Sequence, residues 1–334
     1  MLLWNYLRDP ILLFAVLTFF CPLQSAAWRD PSPHTTKFVP VEKNIRLEVL
    51  DWGGRGRPVI LLAGGGNTAH VFDEFAPKLA TNCRVYAITR RGFGASSYAP
   101  PKPGADRFGA DILAVVRALK INKPVLVGHS IAGVELSSAA TLDAKRIRGV
   151  VYLEAAYPYA FDNGTGPSMQ AFQDLSGPRS PSPTESDLRS FAALDKWDAE
   201  VYGFRLPESE FRQTWDSTPD GRVIGPRNFP GSQYVTAMMT NTRKYAKIPV
   251  PSLAIFAIPH LQEAWISRST DPDVQKKADV YFANIDLLAE KQAKTFERGV
   301  PGARVIRQRG THYIFLSSTS DVLREIRAFV SSLQ

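Results

Sequence analysis

The stretch VLVGHSIAGVEL (Val125–Leu136) sets a serine between a strand-like run and a helix-like one. A serine held on such a strand-to-helix turn has its Oγ lifted clear of the sheet, with the next backbone N–H facing the same space. The turn packs tightly, so it demands small residues two before and two after the serine. Here they are Gly128 and Ala132, giving G-H-S-I-A in place of G-x-S-x-G, with Gly133 one place later. Such a match is common by chance. Taken alone, Ser130 reads either as a nucleophile or as a small polar residue where a strand ends.

A serine nucleophile needs a base, and the chain has five histidines: His34, His70, His129, His260 and His312. His312 lies in QRGTHYIFL, between the last strand-like run and the last helix-like one. In a doubly wound sheet that is a carboxyl strand end, where ligand sites form. The side chain of His129 points away from the Ser130 Oγ and reads as packing around the turn. His70 and His260 are candidates to border the site, but no motif assigns either a role in it. A developing oxyanion needs N–H donors, and LLAGGGN (Leu61–Asn67) places three glycines after a strand-like run. Without Cβ atoms their amides can approach a negative charge closely. The preferred pair of donors is the Gly65 and Ile131 N–H groups. A phosphate-binding loop is the competing reading, but its lysine and hydroxyl residue are missing; a plain glycine turn is the third.

The elements that must hold these groups alternate between Pro58 and Ala155. PVILLAGG, RVYAITR, PVLVG and GVVYLEA read as buried strands. Between them run helical faces carrying Val71, Phe72, Phe75 and Leu79, and then Phe108, Ile112, Val115, Val116 and Leu119. This alternation predicts an α/β fold with a doubly wound, mostly parallel sheet. From Tyr157 to about Lys247 the pattern breaks into Pro-, Ser- and Gly-rich chain and short helical pieces bearing aromatics. That segment is too long to lack structure of its own and predicts a mainly helical insertion over the strand ends. PSLAIFAI and ARVIRQ resume the strands, and Val322, Leu323, Ile326, Phe329, Val330 and Leu333 share the face of a last helix. The expected division is a segment 1–27, core 28–156, insertion 157–247 and core 248–334.

Composition narrows the class. Of 334 residues, 44% are hydrophobic and 22% charged, which is ordinary for a globular chain and excludes disorder. Arg8 precedes the apolar run ILLFAVLTFFCPL (Ile11–Leu23), and QSAA supplies small residues. This predicts an export signal cleaved near Ala27, with an uncleaved membrane anchor through residues 11–23 as the alternative. Cys83 would then be the one cysteine left, which excludes a disulfide framework. No Cys/His run has metal-ligand spacing, and no cofactor or metal is expected. The net charge of +8 is unaltered by removing Arg8 and Asp9, and it is scattered, with no basic run interleaved with aromatics. That argues against a nucleic-acid partner. Oligomeric state is not encoded in any pattern.

Four segments together, LLAGGGN, ITRRGFGASS, GHSIAG and GTHYIF, resemble the α/β-hydrolase family, from about Val59 to the carboxyl terminus. The resemblance implies the α/β-hydrolase sheet with a cap insertion, and a triad in the order nucleophile, acid, histidine. The acid is the open member. In most of the family it follows the strand here written SLAIFAI, which runs into PHLQEAW with Glu263 as the nearest carboxylate. Glu154, in VVYLEAAYP, resembles the acid of haloalkane dehalogenase-like members and is preferred, with Asp286 third. Dehalogenases and epoxide hydrolases of this fold attack through aspartate, so Ser130 points to acyl transfer. The expected protein is an exported serine hydrolase, carboxylesterase-like, acting on a small-molecule ester. Amide, lactone or C–C hydrolysis, acyl transfer, or a non-catalytic binding role on the same fold are the alternatives.

Overall fold

The computed structural model describes residues 28–99, 106–239 and 244–333. By internal contacts the chain divides into Met1–Pro31 and Ser32–Gln334. The expected export signal, residues 1–27, lies outside the described residues, and residues 28–31 carry no helix or strand. Among the described residues no helix is long and apolar enough to cross a membrane.

The second unit begins with an antiparallel pair, β1 (Thr35–Glu42) and β2 (Ile45–Gly53). There follow β3 (Pro58–Leu62), α1 (Ala76–Leu79), β4 (Arg84–Ile88), α2 (Arg107–Ala118), β5 (Val125–His129), α3 (Ala132–Leu142) and β6 (Gly149–Leu153). The next hundred residues hold α4 (Met169–Gln173), α5 (Phe191–Tyr202), α6 (Glu208–Thr214), a small hairpin of β7 (Trp215–Ser217) and β8 (Val223–Pro226), and α7 (Ser232–Met239). The chain closes with β9 (Ser252–His260), α8 (Ala264–Arg268), α9 (Pro272–Gly299), β10 (Arg304–Gly310), α10 (Ile314–Ser317) and α11 (Thr319–Ser332).

The large sheet runs β1-β2-β4-β3-β5-β6-β9-β10, parallel from β4 to β10 and antiparallel at the β1–β2 edge. Period-two alternation splits its side chains between two cores. Ile60, Leu62, Leu126, Val150, Tyr152, Ala254 and Phe256 join Phe108, Ile112 and Val116 of α2 and Phe296 of α9 on one face. Val59, Leu61, Val125, Val127, Val151, Leu153, Leu253 and Ile255 meet Phe72, Phe75, Leu79 and the apolar stripe of α11 on the other. Burying a side chain of this size stabilises by roughly 1.5–3 kcal/mol. A sheet covered on both faces by such residues therefore makes a stiff platform for its strand ends.

The insertion has a small core of its own, in which Phe191, Leu194, Phe211 and Val223 are buried with Trp197 and Trp215 packed around them. Tyr202 and Phe204 meet at 6.2 Å beside this core, where Tyr202 also stands against Trp197. None of the four lines the cleft beside Ser130, whose insertion-side wall is Met169, Phe172 and Met239 instead.

Candidate active site

Five neighbouring parallel strands, β3, β5, β6, β9 and β10, each deliver one group at their carboxyl ends: Gly65, Ser130, Glu154, His260 and His312. β5 passes into α3 with only Ser130 and Ile131 between them, and Ser130 absorbs the reversal with φ +53. A left-handed serine costs of order 1–2 kcal/mol, and here it aims the Oγ off the end of the sheet. Glu154, at the corresponding place after β6, has φ +50. The Ser130 N–H donates to the Leu153 carbonyl at 3.1 Å, and the Glu154 N–H to the Ile255 carbonyl at 2.9 Å, so register fixes both turns.

The His312 Nε2 lies 2.9 Å from the Ser130 Oγ, and its Nδ1 lies 3.4 Å from Glu154 Oε2. Facing a carboxylate, Nδ1 must carry the proton, which leaves Nε2 as acceptor for the serine hydroxyl. Burial, and then the Glu154 charge, hold the Tyr159 phenol beside it above its ordinary value. Glu154 is 1% exposed, and four donors converge on it. Oε2 receives the Tyr157 hydroxyl at 2.9 Å and faces both His312 Nδ1 and, at 3.3 Å, His260 Nε2. Oε1 receives the Ala257 N–H at 2.5 Å. Burial alone would raise the carboxyl, but hydrogen bonds and charge from His260 and His312 outweigh it and hold it at about 2.

His260 was the residue no motif pointed to. Its Nε2 faces Glu154, its Nδ1 lies 2.6 Å from Asp286 Oδ1, and its own backbone N–H donates to that same oxygen at 2.9 Å. Carboxylates only accept, so both ring nitrogens must donate and the ring is an imidazolium. Although burial lowers its pKa, Glu154 and then Asp286 raise it by more. Asp286 thus reaches the site through His260 rather than His312, and Glu263 makes no hydrogen bond to either ring among the described residues. His129 is fully buried, and its Nε2 donates to the His312 carbonyl at 2.9 Å. Burial, and then the neighbouring His312, push its pKa down to about 3, so this ring is a neutral brace for the His312 backbone.

The alpha/beta hydrolase family model matches residues 59–325, from β3 into the last helix. The chain belongs to that family. Among curated relatives, a non-heme chloroperoxidase of Streptomyces lividans is 32% identical over 75% of this chain and 87% of its own length. Another, of Burkholderia pyrrocinia, is 23% identical over 78% and 90%. The solved E-2-(acetamidomethylene)succinate hydrolase superposes with a TM-score of 0.58 at 16% identity, covering 90% of this chain and all of that one, which speaks for the fold.

In this hydrolase the glycine loop is held from two sides. From the core, Arg90 donates to the Ala63 carbonyl at 2.7 Å and the Gly64 carbonyl at 3.2 Å, while its Nε pairs with Glu135 of α3 at 2.5 Å. Loop carbonyls drawn toward Arg90 leave the loop's other edge for Ser130. A Cβ on Gly64 would stand 2.8 Å from His129 Nδ1, and one on Gly65 would stand 3.1 Å from Val235 of α7 and 3.6 Å from Ile131, so the loop runs tight against the serine turn. From the insertion, Glu210 of α6 accepts from the Asn67 side chain and the Thr68 N–H, each at 3.0 Å, and from the Thr68 hydroxyl at 2.5 Å. The Tyr313 hydroxyl completes the tie at Asn67 Oδ1, 2.9 Å away.

Glu210 makes this tie sensitive to pH. Burial pushes its carboxyl up to about 7 from an ordinary 4.5, against hydrogen bonds from Thr68 and Asn67. With a raised folded pKa, its contribution to stability is fully present below about pH 4.5 and is lost as pH rises through about 7. Glu210→Gln keeps the shape and removes the titration. Asp198, also raised to about 7 by burial and then by Asp195, gives the same slope and stays in both proteins. Urea midpoints between pH 5 and 8 should therefore show a flatter fall for Glu210→Gln, by up to about 3 kcal/mol across the window. Equal slopes for the two proteins would remove Glu210 as a source.

A second polar cluster lies between the short helical turn Ala69–Phe72, the chain before β1, and α6. His34, His70 and Asp73 place donor atoms within 4.8 Å of one another, the only such convergence of possible metal ligands among the described residues. As they stand they pair among themselves: His70 Nδ1 lies 2.9 Å and His34 Nε2 3.3 Å from Asp73, whose carboxylate also accepts from Ser209 of α6.

Proposed function

We propose that this chain is a serine hydrolase cleaving carboxylic esters through an acyl-enzyme. Ser130 attacks the carbonyl as His312 takes its proton, and Glu154 orients and stabilises the resulting imidazolium. The Gly65 and Ile131 N–H groups receive the oxyanion, and His312 returns the proton to the leaving alcohol. Water repeats the sequence and releases the acid. The observation that carries the reading is the 2.9 Å contact between His312 Nε2 and the Ser130 Oγ, with the other ring nitrogen turned to a buried carboxylate. Residues 157–247 act as the cap, since Met169, Phe172 and Met239 close the cleft over Ser130. Export through residues 1–27 rests on the apolar run after Arg8.

A fluorophosphonate probe tests the chemistry. Wild type should label stoichiometrically at Ser130, and Ser130→Ala should not label at all. Folded wild type that fails to label would end the hydrolase reading.

A further inference from the structure

The cleft at Ser130 has a volume of about 300 Å³. Its walls combine aromatic rings, Tyr157, Tyr159, Phe172, Tyr281 and Phe282, with the carboxylate of Glu263. Tyr281 and Phe282 meet edge to face at 5.3 Å, as do Tyr157 and Phe172 at 5.1 Å. The chain carries 40 lysines and arginines, yet none of those described lines this cleft.

Of the two carboxylates in the cleft, Glu154 is saturated by four donors, two of them histidines. Glu263 differs. It begins α8 without capping it through its side chain, and among the described residues its carboxylate has no hydrogen bond or ion pair. It does stand beside the ring cluster: burial first, and then the Glu263 charge, hold the Tyr281 phenol above its ordinary value. A neutral apolar substrate filling the cleft would strip water from Glu263 and return nothing, which is costly for a charge. An anionic substrate would meet repulsion from Glu263, and the one cation beside it, the His260 imidazolium, is already held between Glu154 and Asp286. A cationic nitrogen would gain both the carboxylate and the negative faces of the rings.

We propose that the cleft selects esters bearing a cationic nitrogen, with an alkylammonium group seated between Glu263 and the aromatic rings. The inference rests on the serine hydrolase reading and adds the charge of the substrate to it. Two esters that differ only in that charge test it: 2-(trimethylammonio)ethyl butyrate and its neutral isostere 3,3-dimethylbutyl butyrate. For wild type, kcat/KM should favour the cationic ester by about 10-fold or more. Glu263→Gln should lower the ratio at least about threefold, leaving only what the rings supply, and Glu263→Lys should bring it below 1. A wild-type ratio at or below 1, or a ratio that Glu263→Gln and Glu263→Lys both leave unchanged, overturns the cation subsite and leaves the hydrolase standing. Cleavage of neither ester, together with an unlabelled Ser130, overturns the hydrolase reading and this inference with it.

Discussion

Glu154→Gln should lower kcat on a p-nitrophenyl ester by about a thousand- to ten-thousand-fold while leaving KM nearly unchanged. The reason is local. Three donors, from His312, His260 and Tyr157, converge on Oε2, and the Ala257 N–H holds Oε1. A glutamine satisfies Ala257 with its oxygen and turns an NH2 toward the other three. His260 can answer by shedding a proton, since its second partner, Asp286, remains. His312 has no second carboxylate. Either its ring rotates or it takes the opposite tautomer, and in both cases Nε2 stops accepting from Ser130. The substitution should also cost stability, with a defined pH dependence. The Glu154 carboxyl is depressed from 4.5 to about 2, so its contribution is present above about pH 4.5 and lost as pH falls toward 2. That corresponds to about 3 kcal/mol at neutral pH, read as a lower urea midpoint. Near pH 3 the gap between wild type and variant should narrow. Retention of kcat within about threefold would mean that another group orients His312.

Much of this arrangement could be read from sequence because chemistry and punctuation coincide at strand ends. Glycines mark the loop after β3, the G-H-S turn marks the end of β5, and T-H-Y marks the end of β10. The buried strands read as continuous apolar runs because helices cover both faces. What was not legible has a common cause. The β1–β2 edge carries no such run, since β1 is mostly exposed, Phe38 included. The β7–β8 hairpin is too short, at three and four residues, to show a period. His260 and Asp286 lie 26 residues apart, on β9 and on the middle of α9, and meet only because α9 packs back across the end of its own strand. In the sequence Glu154 is preferred over Glu263 by resemblance alone. The β6–β9 pairing sets Leu153 against Ile255, which brings the Ala257 N–H onto Glu154, whereas Glu263 lies three residues beyond the last residue of β9. The separation comes from strand register, which local pattern does not carry.

The serine turn leads to the other large effect. The sequence has alanine where G-x-S-x-G has its second glycine, and Gly133 one place on. A Cβ on Gly133 would stand 2.0 Å from the Ala155 carbonyl oxygen and 2.9 Å from the Ala160 Cβ, both fixed chain rather than a side-chain end that could swing away. At position 132 a Cβ already exists and is fully buried. The tight approach is therefore between the first turn of α3 and the chain leaving β6, the same chain that carries Glu154. Gly133→Ala must push these two apart, and Ser130 and Glu154 ride on opposite sides of the gap. Overpacking of this kind typically costs about 1–3 kcal/mol and more where only backbone can yield. We expect a loss above about 3 kcal/mol in urea unfolding, together with fluorophosphonate labelling at least about 100-fold slower in the fraction that remains folded. Ala132→Gly is the control. It should cost only about 1 kcal/mol, for a glycine near a helix start, and leave labelling close to wild type. Should Gly133→Ala fold and label as well as Ala132→Gly, the 2.0 Å approach would not hold in solution, and the spacing of Ser130 from Glu154 would have to be set by something other than this helix-to-strand contact.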